Sequence, residues 1–588
     1  MKYDLKKFNK AVDYYQKKLQ QYKGKTIYIR IPLADERAYY ATAPLTRAIH
    51  NLNSMVHISV AEENSGAIKA VNAIWSANED IKNRVNNPSA KALDLFIKEV
   101  DKKAKGKFRK IFVKPDLVLV SNGNSFCSDD VNLKIMPNWF RRYRWKELLQ
   151  TAKIIWKQVY NLKKSEKLGF GFETIPIKKK MELPLEDYLD SYAINRAMAV
   201  SVKNKKSASA STSVWSQLSE GERVGELKST LLGCELDKDI NEPVFKKYKK
   251  VSELLIRNRI KPNDAVFGIH GKGYHGKHLF GEIIGYPTKN RKSRWSSPSG
   301  IVYQFDWLPQ TKEDSRSPMT RVAFTETLPI DLFIKTCKID WLSMQKKNNK
   351  IVDIFDKSEK IIVNSAKKNG TNFEVGLIKR NGENRLTRGS DVDTRSKINK
   401  DYYKVTGIKA GTMANLPGGE AFTTPEYVSG RVVGDVVISI DQSYRLSKKQ
   451  PFVINATKHG YTVESASPKV KKKFNKMKKD AWKRLLIMEK SKALPKKIIQ
   501  LKKKNFNNIG EFAVNTSPTA ELCDYLIVNE KIAGMIHVAM GSGFDADKST
   551  EYHTDVVIDA EKQKLDIYGV KKGSGMELWI LKKGKFVF

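Results

Sequence analysis

From the N-terminus to residue 120 the chain alternates between two hydrophobic periods, and that alternation restricts its fold more than any other feature. Leu5, Phe8, Val12, Tyr15 and Leu19 recur at helical spacing in a Lys-rich stretch, residues 3–22. Thr26–Ile31 then switches to the every-other-residue pattern of a strand. Residues 36–50 return to the helical pattern, Val56–Val60 reads as another strand, and a helix-like stretch follows. Phe108–Val120 supplies one or two more strands. Side chains repeat every 3.6 residues on a helix and every two on a strand, so a chain that keeps switching layers helices on a sheet. The expectation is an open α/β domain at the N-terminus.

Further on, the pattern changes. Residues 203–213 are polar and low in complexity, the best candidate for a linker or mobile loop. Residues 260–345 are mixed and rich in Gly, Pro and aromatic residues, and from about 350 the chain turns β-like. The runs Lys360–Asn364, Asn372–Ile378 and Gly430–Ile440 are followed near the C-terminus by Leu565–Tyr568 and Glu577–Leu581. The fold class is α/β: an N-terminal open α/β domain with insertions over residues 1–330, then a C-terminal mixed α+β domain over 331–588. A length of 588 residues fits more than one domain at roughly 150 residues each.

Charge needs separate treatment. Lys and Arg total 107 against 64 acids, a formal net charge of +43, which on its face suggests a polyanion partner. Only 23 of the 107 are Arg, the side chain that reads phosphate and base edges in a bidentate manner. An excess of Lys fits a solvated surface as well as recognition. Its densest part, residues 469–504, carries 16 basic residues and two acids, Asp480 and Glu489. Val470, Phe474, Met477, Ala481, Leu485 and Met488 recur there at helical spacing until Pro495. The favoured reading is a packed helix with a solvated Lys face; docking to RNA, a membrane surface or an acidic partner is the alternative.

Cys127, Cys234, Cys337 and Cys523 are too widely spaced for a CxxC zinc site or a disulfide framework. No apolar h-region follows Met1–Lys7, and no run approaches the ~18 apolar residues of a membrane span. The expected location is therefore cytoplasmic, with no membrane partner.

Two groups of residues carry candidate chemistry. His270, His275 and His278 fall within one Gly-rich stretch, either as metal ligands or as solvated loop histidines; no acid lies among them. The second group is dispersed. Glu420 follows the turn Asn415-Leu-Pro-Gly-Gly, Glu511 opens a strand-like run after Gly510, His537 precedes Gly541, and His553 and Asp555 stand two apart. On a strand, residues two apart share a face, so His553 and Asp555 could hold one ion. Two Glu, two His and one Asp form a nitrogen and oxygen set suited to two divalent ions such as Zn²⁺, Co²⁺ or Mn²⁺.

Asn415–Pro425, followed in order by Gly510–Ala513, His537–Gly541 and His553–Asp555, resembles the aminopeptidase T/aminopeptidase S metallopeptidases, the thermophilic aminopeptidase family. Asn369–Glu374 is similar to that family's GTD-like stretch, and the likeness covers about residues 340–570. The resemblance implies that 331–588 is a metal-binding catalytic domain of a homodimeric exopeptidase acting on peptide substrates. It implies Glu420, Glu511, His537, His553 and Asp555 as metal ligands, with Glu511 as the bridge between two ions. Glu420 and Glu511 are the catalytic candidates for proton transfer.

The chain also departs from the family pattern. Phe544 stands where the family has a Tyr seven residues after His537, and the long 420-to-511 gap contains the basic segment. The competing expectation is a basic nucleic-acid or polyanion-binding protein on a catalytically inert peptidase-like scaffold.

Overall fold

A computed structural model describes residues 2–32, 35–61, 116–162, 168–174, 185–202, 210–216, 265–270, 321–367, 369–379, 381–385, 387–388, 412–490, 496–543, 548 and 550–588. They group into two units, and the chain passes from the first to the second after Ile334. Among the described residues no helix is long and apolar enough to cross a membrane.

The first unit is a mixed sheet with helices. Asp4 accepts a hydrogen bond from the Lys7 amide and caps α1 (Leu5–Lys18), which buries Phe8, Ala11, Val12 and Tyr15. Asp35 caps α2 (Glu36–Asn51) in the same way. β1 (Thr26–Pro32) pairs in parallel with β2 (Met55–Ala61) and with β3 (Leu117–Ser121). β4 (Ser125–Cys127) and β5 (Asn132–Lys134) add an antiparallel edge. β6 (Leu168–Thr174), β7 (Ala210–Ser216), β8 (Ala265–His270) and β9 (Arg321–Glu326) extend the other side, in the order β9-β8-β6-β7-β2-β1-β3-β4-β5. This is the expected open α/β layer, with mostly parallel pairing. One local expectation needs correcting. Residues 210–213 are not a linker but the start of β7, because their backbone pairs with both β2 and β6. Residues 203–209 lie outside the described residues.

The second unit contains two antiparallel sheets. α3 (Trp341–Lys357) starts where Asp340 accepts from the Leu342 and Ser343 amides. One sheet consists of β10 (Ser358–Ser365), β11 (Asn372–Gly376), β15 (Tyr427–Gly434), β18 (Phe452–Thr457), β19 (Gly460–Ser465), β23 (Leu565–Lys571), β24 (Glu577–Lys582) and β25 (Lys585–Phe586). β12 (Thr387–Arg388) and β13 (Thr412–Asn415) lie between these in the chain. The other sheet has the order β12-β14-β20-β21-β22-β16-β17. In it β14 is Glu420–Thr423, β16 Val437–Ser439, β17 Ser443–Arg445, β20 Ile509–Asn515, β21 Met535–Gly541 and β22 His553–Asp559. The run read as one strand over 430–440 divides into β15 and β16 around Asp435 and Val436.

A single apolar core serves both sheets. Phe512, Val514, Ile536, Val538 and Met540 meet Phe355 of α3 and Phe373 of β11 there. The Phe512 ring centroid lies 5.9 Å from that of Phe355 and 6.0 Å from that of Phe373. The basic segment forms α4 (Pro468–Lys490) and α5 (Lys496–Lys504), and Val470, Phe474, Met477, Ala481 and Leu485 enter the same core. The packed-helix reading holds, but its lysines are not all solvated. Lys478 Nζ lies 4.7 Å from the Tyr461 ring centroid and donates to Asn507 Oδ1 at 2.7 Å, and burial pulls it down to about 8. Lys502 is buried in an ion pair with Glu551 at 2.5 Å.

Truncating Phe512 removes the ring on which α3 and both sheets converge. Phe512→Ala is expected to lower unfolding stability by about 3–5 kcal/mol, read from the urea midpoint at constant m-value.

Candidate metal centre

Strand register decides which side chains of the second sheet face each other. Directly opposed residues of an antiparallel pair lie on the same face, as do residues two apart on one strand. Glu420 of β14 opposes Asn515 of β20, and Ala513 of β20 opposes His537 of β21. Glu511 opposes Ala539, which opposes Asp555 of β22, and Gly541 opposes His553. All five predicted ligands therefore emerge on one face, while Phe512, Val514, Ile536 and Val538 point into the core on the other. Ala513 and Ala539 occupy the middle of the ligand face, and their small side chains leave room for the longer ones to converge above them.

The convergence is close. His537 Nε2 lies 3.5 Å from Glu420 Oε2 and 3.6 Å from Glu511 Oε1. His553 Nε2 lies 3.3 Å from Glu511 Oε2 and 3.1 Å from Asp555 Oδ1. Two buried ligand groups result, Glu420–Glu511–His537 and Glu511–His553–Asp555, sharing Glu511. That carboxylate turns one oxygen to each imidazole.

The second nitrogen of each ring is also anchored. Asn515 Oδ1 accepts from His537 Nδ1 at 2.9 Å, and the Ser542 carbonyl accepts from His553 Nδ1 at 2.7 Å. Both rings thus point Nε2 at the carboxylates, the arrangement in which metal-ligating histidines are usually held. Asn348 donates to the Glu420 carbonyl at 3.1 Å and steadies β14 from α3.

Each glutamate follows a glycine that allows a close approach. A Cβ on Gly419, whose φ is +140°, would meet the Ser517 amide nitrogen at 2.8 Å. A Cβ on Gly510 would meet the Ser542 carbonyl oxygen at 2.3 Å, and that oxygen is the one holding His553. Gly510 is the extra residue where the β20–β21 register shifts.

Lys531 was missed in the sequence. Its buried ammonium sits 2.7 Å from Glu420 Oε1 and 3.0 Å from Glu530 Oε1. As one of 84 lysines it carries no local signal. Asn515 did carry one: Glu511 and Asn515 are polar residues at even spacing in an otherwise apolar strand.

The charges are strongly coupled. Burial pushes the Glu511 carboxyl upward, but the hydrogen bonds from His537 and His553 outweigh it and hold it below the ordinary range. Asp555 is likewise held down by His553 against burial. Burial disfavours charge on His553, yet Asp555 and Glu511 raise it well above the ordinary imidazole value.

Other predicted features lie elsewhere. Glu374, in the Asn369–Glu374 stretch, pairs with Lys360 at 2.9 Å and accepts from Tyr427 at 3.0 Å. The backbone of His270 closes β8. His275, His278 and Phe544 lie outside the described residues.

No family model matches the chain, and no curated protein matches it. Among solved structures, wild-type AmpT from Thermus thermophilus aligns with a TM-score of 0.41 and 14% identity, covering 76% of this chain and 100% of that one. The functional reading therefore rests on the chemistry of the site.

Two outcomes are expected. Gly510→Ala displaces the Ser542 carbonyl and should weaken Zn²⁺ binding about 10–100-fold in a calorimetric titration, although no ligand is altered. The second concerns acid. Glu511 and Asp555 have folded values below their unfolded ones, so their stabilisation is present above about pH 4 and disappears as pH falls through the folded values. The thermal midpoint of ion-free protein should accordingly drop between about pH 5 and about pH 2. In Glu511→Gln the drop should be smaller.

Proposed function

We propose that the chain is a metal-dependent aminopeptidase that removes N-terminal residues from peptides. The observation that carries this reading is Glu511, which presents one oxygen to each of two buried ligand groups. Three carboxylates and two imidazoles buried together form a donor set that a pair of divalent cations fits, and both imidazoles already aim a ring nitrogen inward. Glu420, Glu511 and His537 would hold one ion, and Glu511, His553 and Asp555 the other. Zn²⁺, Co²⁺ and Mn²⁺ all suit these ligands.

Bound there, two such ions supply Lewis acidity toward the peptide carbonyl and lower the pKa of a water toward neutrality. The remaining work falls to the chain. A carboxylate oxygen that the ions leave free, on Glu420 or Glu511, would take the proton from the attacking water and return it to the departing amine nitrogen. The carboxylates of this face favour a substrate's free α-ammonium, which fits cleavage from the N-terminus. Asn515 and the Ser542 carbonyl keep the imidazoles from turning away. The reading extends to a homodimer, as the family resemblance implies.

The test is elemental analysis of protein purified without chelator, beside release of amino acids from aminoacyl p-nitroanilides. The native chain should hold divalent ions and lose activity to a chelator. Glu511→Ala should lose both ions and more than about 10²-fold in kcat/KM, exceeding what an outer-sphere partner contributes. A folded native protein that takes up no divalent ion would sink the reading.

A further inference from the structure

One difference between the two ligand groups is the ammonium of Lys531, which stands against Glu420 and also pairs with Glu530 Oε1 at 3.0 Å. It lies 2.7 Å from Glu420 Oε1, buried, while the other oxygen of Glu420 faces His537 at 3.5 Å. Its position is built into the fold. The Ser517 amide donates to the Lys531 carbonyl at 2.9 Å, and the Ala533 amide donates back to the Ser517 carbonyl at 3.0 Å. Ser517 is the residue against which Gly419 packs, and the Thr516 amide donates to the Gly419 carbonyl at 2.7 Å. The Gly-Gly turn before Glu420 and the loop carrying Lys531 are thus tied together through 516–517. Asp555 and His553 sit on β22, with β20 and β21 between them and Glu420.

We propose that Lys531 is a positioning residue that makes the two ion positions unequal. The inference rests on the metallopeptidase reading. Lys531 already occupies one oxygen of Glu420, and although Glu530 shares its charge, a dication entering between Glu420, Glu511 and His537 meets the ammonium at short range. In a buried site that repulsion is little screened. Glu511, His553 and Asp555 offer two carboxylates and an imidazole at the end of the face away from this ammonium. The first ion settles there and is retained. The second, at the Lys531 end, binds more weakly and exchanges. Lys531 also commits Glu420 to a single remaining oxygen for that second ion.

The probe is Zn²⁺ alone, added to the full chain after stripping. Following gel filtration in ion-free buffer, the native protein should keep one equivalent, and calorimetry should resolve a second at least about tenfold weaker. His537→Gln should still keep one equivalent, whereas Asp555→Asn should keep none. Lys531→Met should tighten the second site about tenfold or more toward the first, and Lys531→Arg should preserve the inequality. Removing the ammonium also takes one cation from beside buried Glu420, so Zn²⁺ should raise the thermal midpoint of Lys531→Met more than that of the native chain. If Lys531→Met does not fold, the native, His537→Gln and Asp555→Asn retention values decide by themselves. Retention of two equivalents, equal affinities, or retention by Asp555→Asn but not His537→Gln overturns the inference. An unchanged second affinity in Lys531→Met does so too. Two equal ions with chelator-sensitive peptidase activity would overturn this inference and leave the metallopeptidase reading standing. No Zn²⁺ uptake by folded protein overturns both.

Discussion

Antiparallel pairing across β14, β20, β21 and β22 is the constraint on which the site depends. A shift of one residue on any of these strands would turn its ligand candidate toward the apolar core, and on β20 or β21 it would bring a Phe, Ile or Val out to the opposite face. The register is held from the core side, where Phe512 packs against Phe355 and Phe373. It is held again at the edges, where Asn348 binds the Glu420 carbonyl and the Ser542 carbonyl binds His553. Ala513 and Ala539 contribute by being small. A larger pair in the centre of the face would separate Glu420 and His537 from His553 and Asp555.

Burying three carboxylates together is unfavourable unless cations accompany them. Part of that compensation is internal, since Lys531 pairs with Glu420. The remainder is what divalent ions would provide. The overall charge of +43 bears little on this balance, which is set by groups buried at the site, Lys531 among them. The lysines of α4 and α5 are divided between surface and interior. Lys473 pairs with Asp441 at the surface, while Lys478 lies against aromatic rings and Lys502 is buried with Glu551. A segment that reads from composition as a docking face is in part a structural wall of the second unit.

Much of the architecture was legible in order of residues. The alternation of periods identified α1, β1, α2 and β2, and the β-like composition after residue 350 identified β10, β11, β23 and β24. Glu420, Glu511, His537, His553 and Asp555 were recognisable as candidates, and the two-residue spacing of the last pair correctly put His553 beside Asp555. The polar stretch over 210–213 misled, since small hydroxyl residues can pair in a sheet when neighbouring strands satisfy their backbone.

Local order therefore determined the element types and the identity of the candidate ligands, because periodicity and short motifs act over a few residues. Only the tertiary structure decided that Glu511 is shared, that Asn515 and the Ser542 carbonyl aim the imidazoles, and that Lys531 lies against Glu420. Those contacts join segments tens of residues apart. They depend on strand register and on where a loop returns, and no spacing within a single segment encodes either.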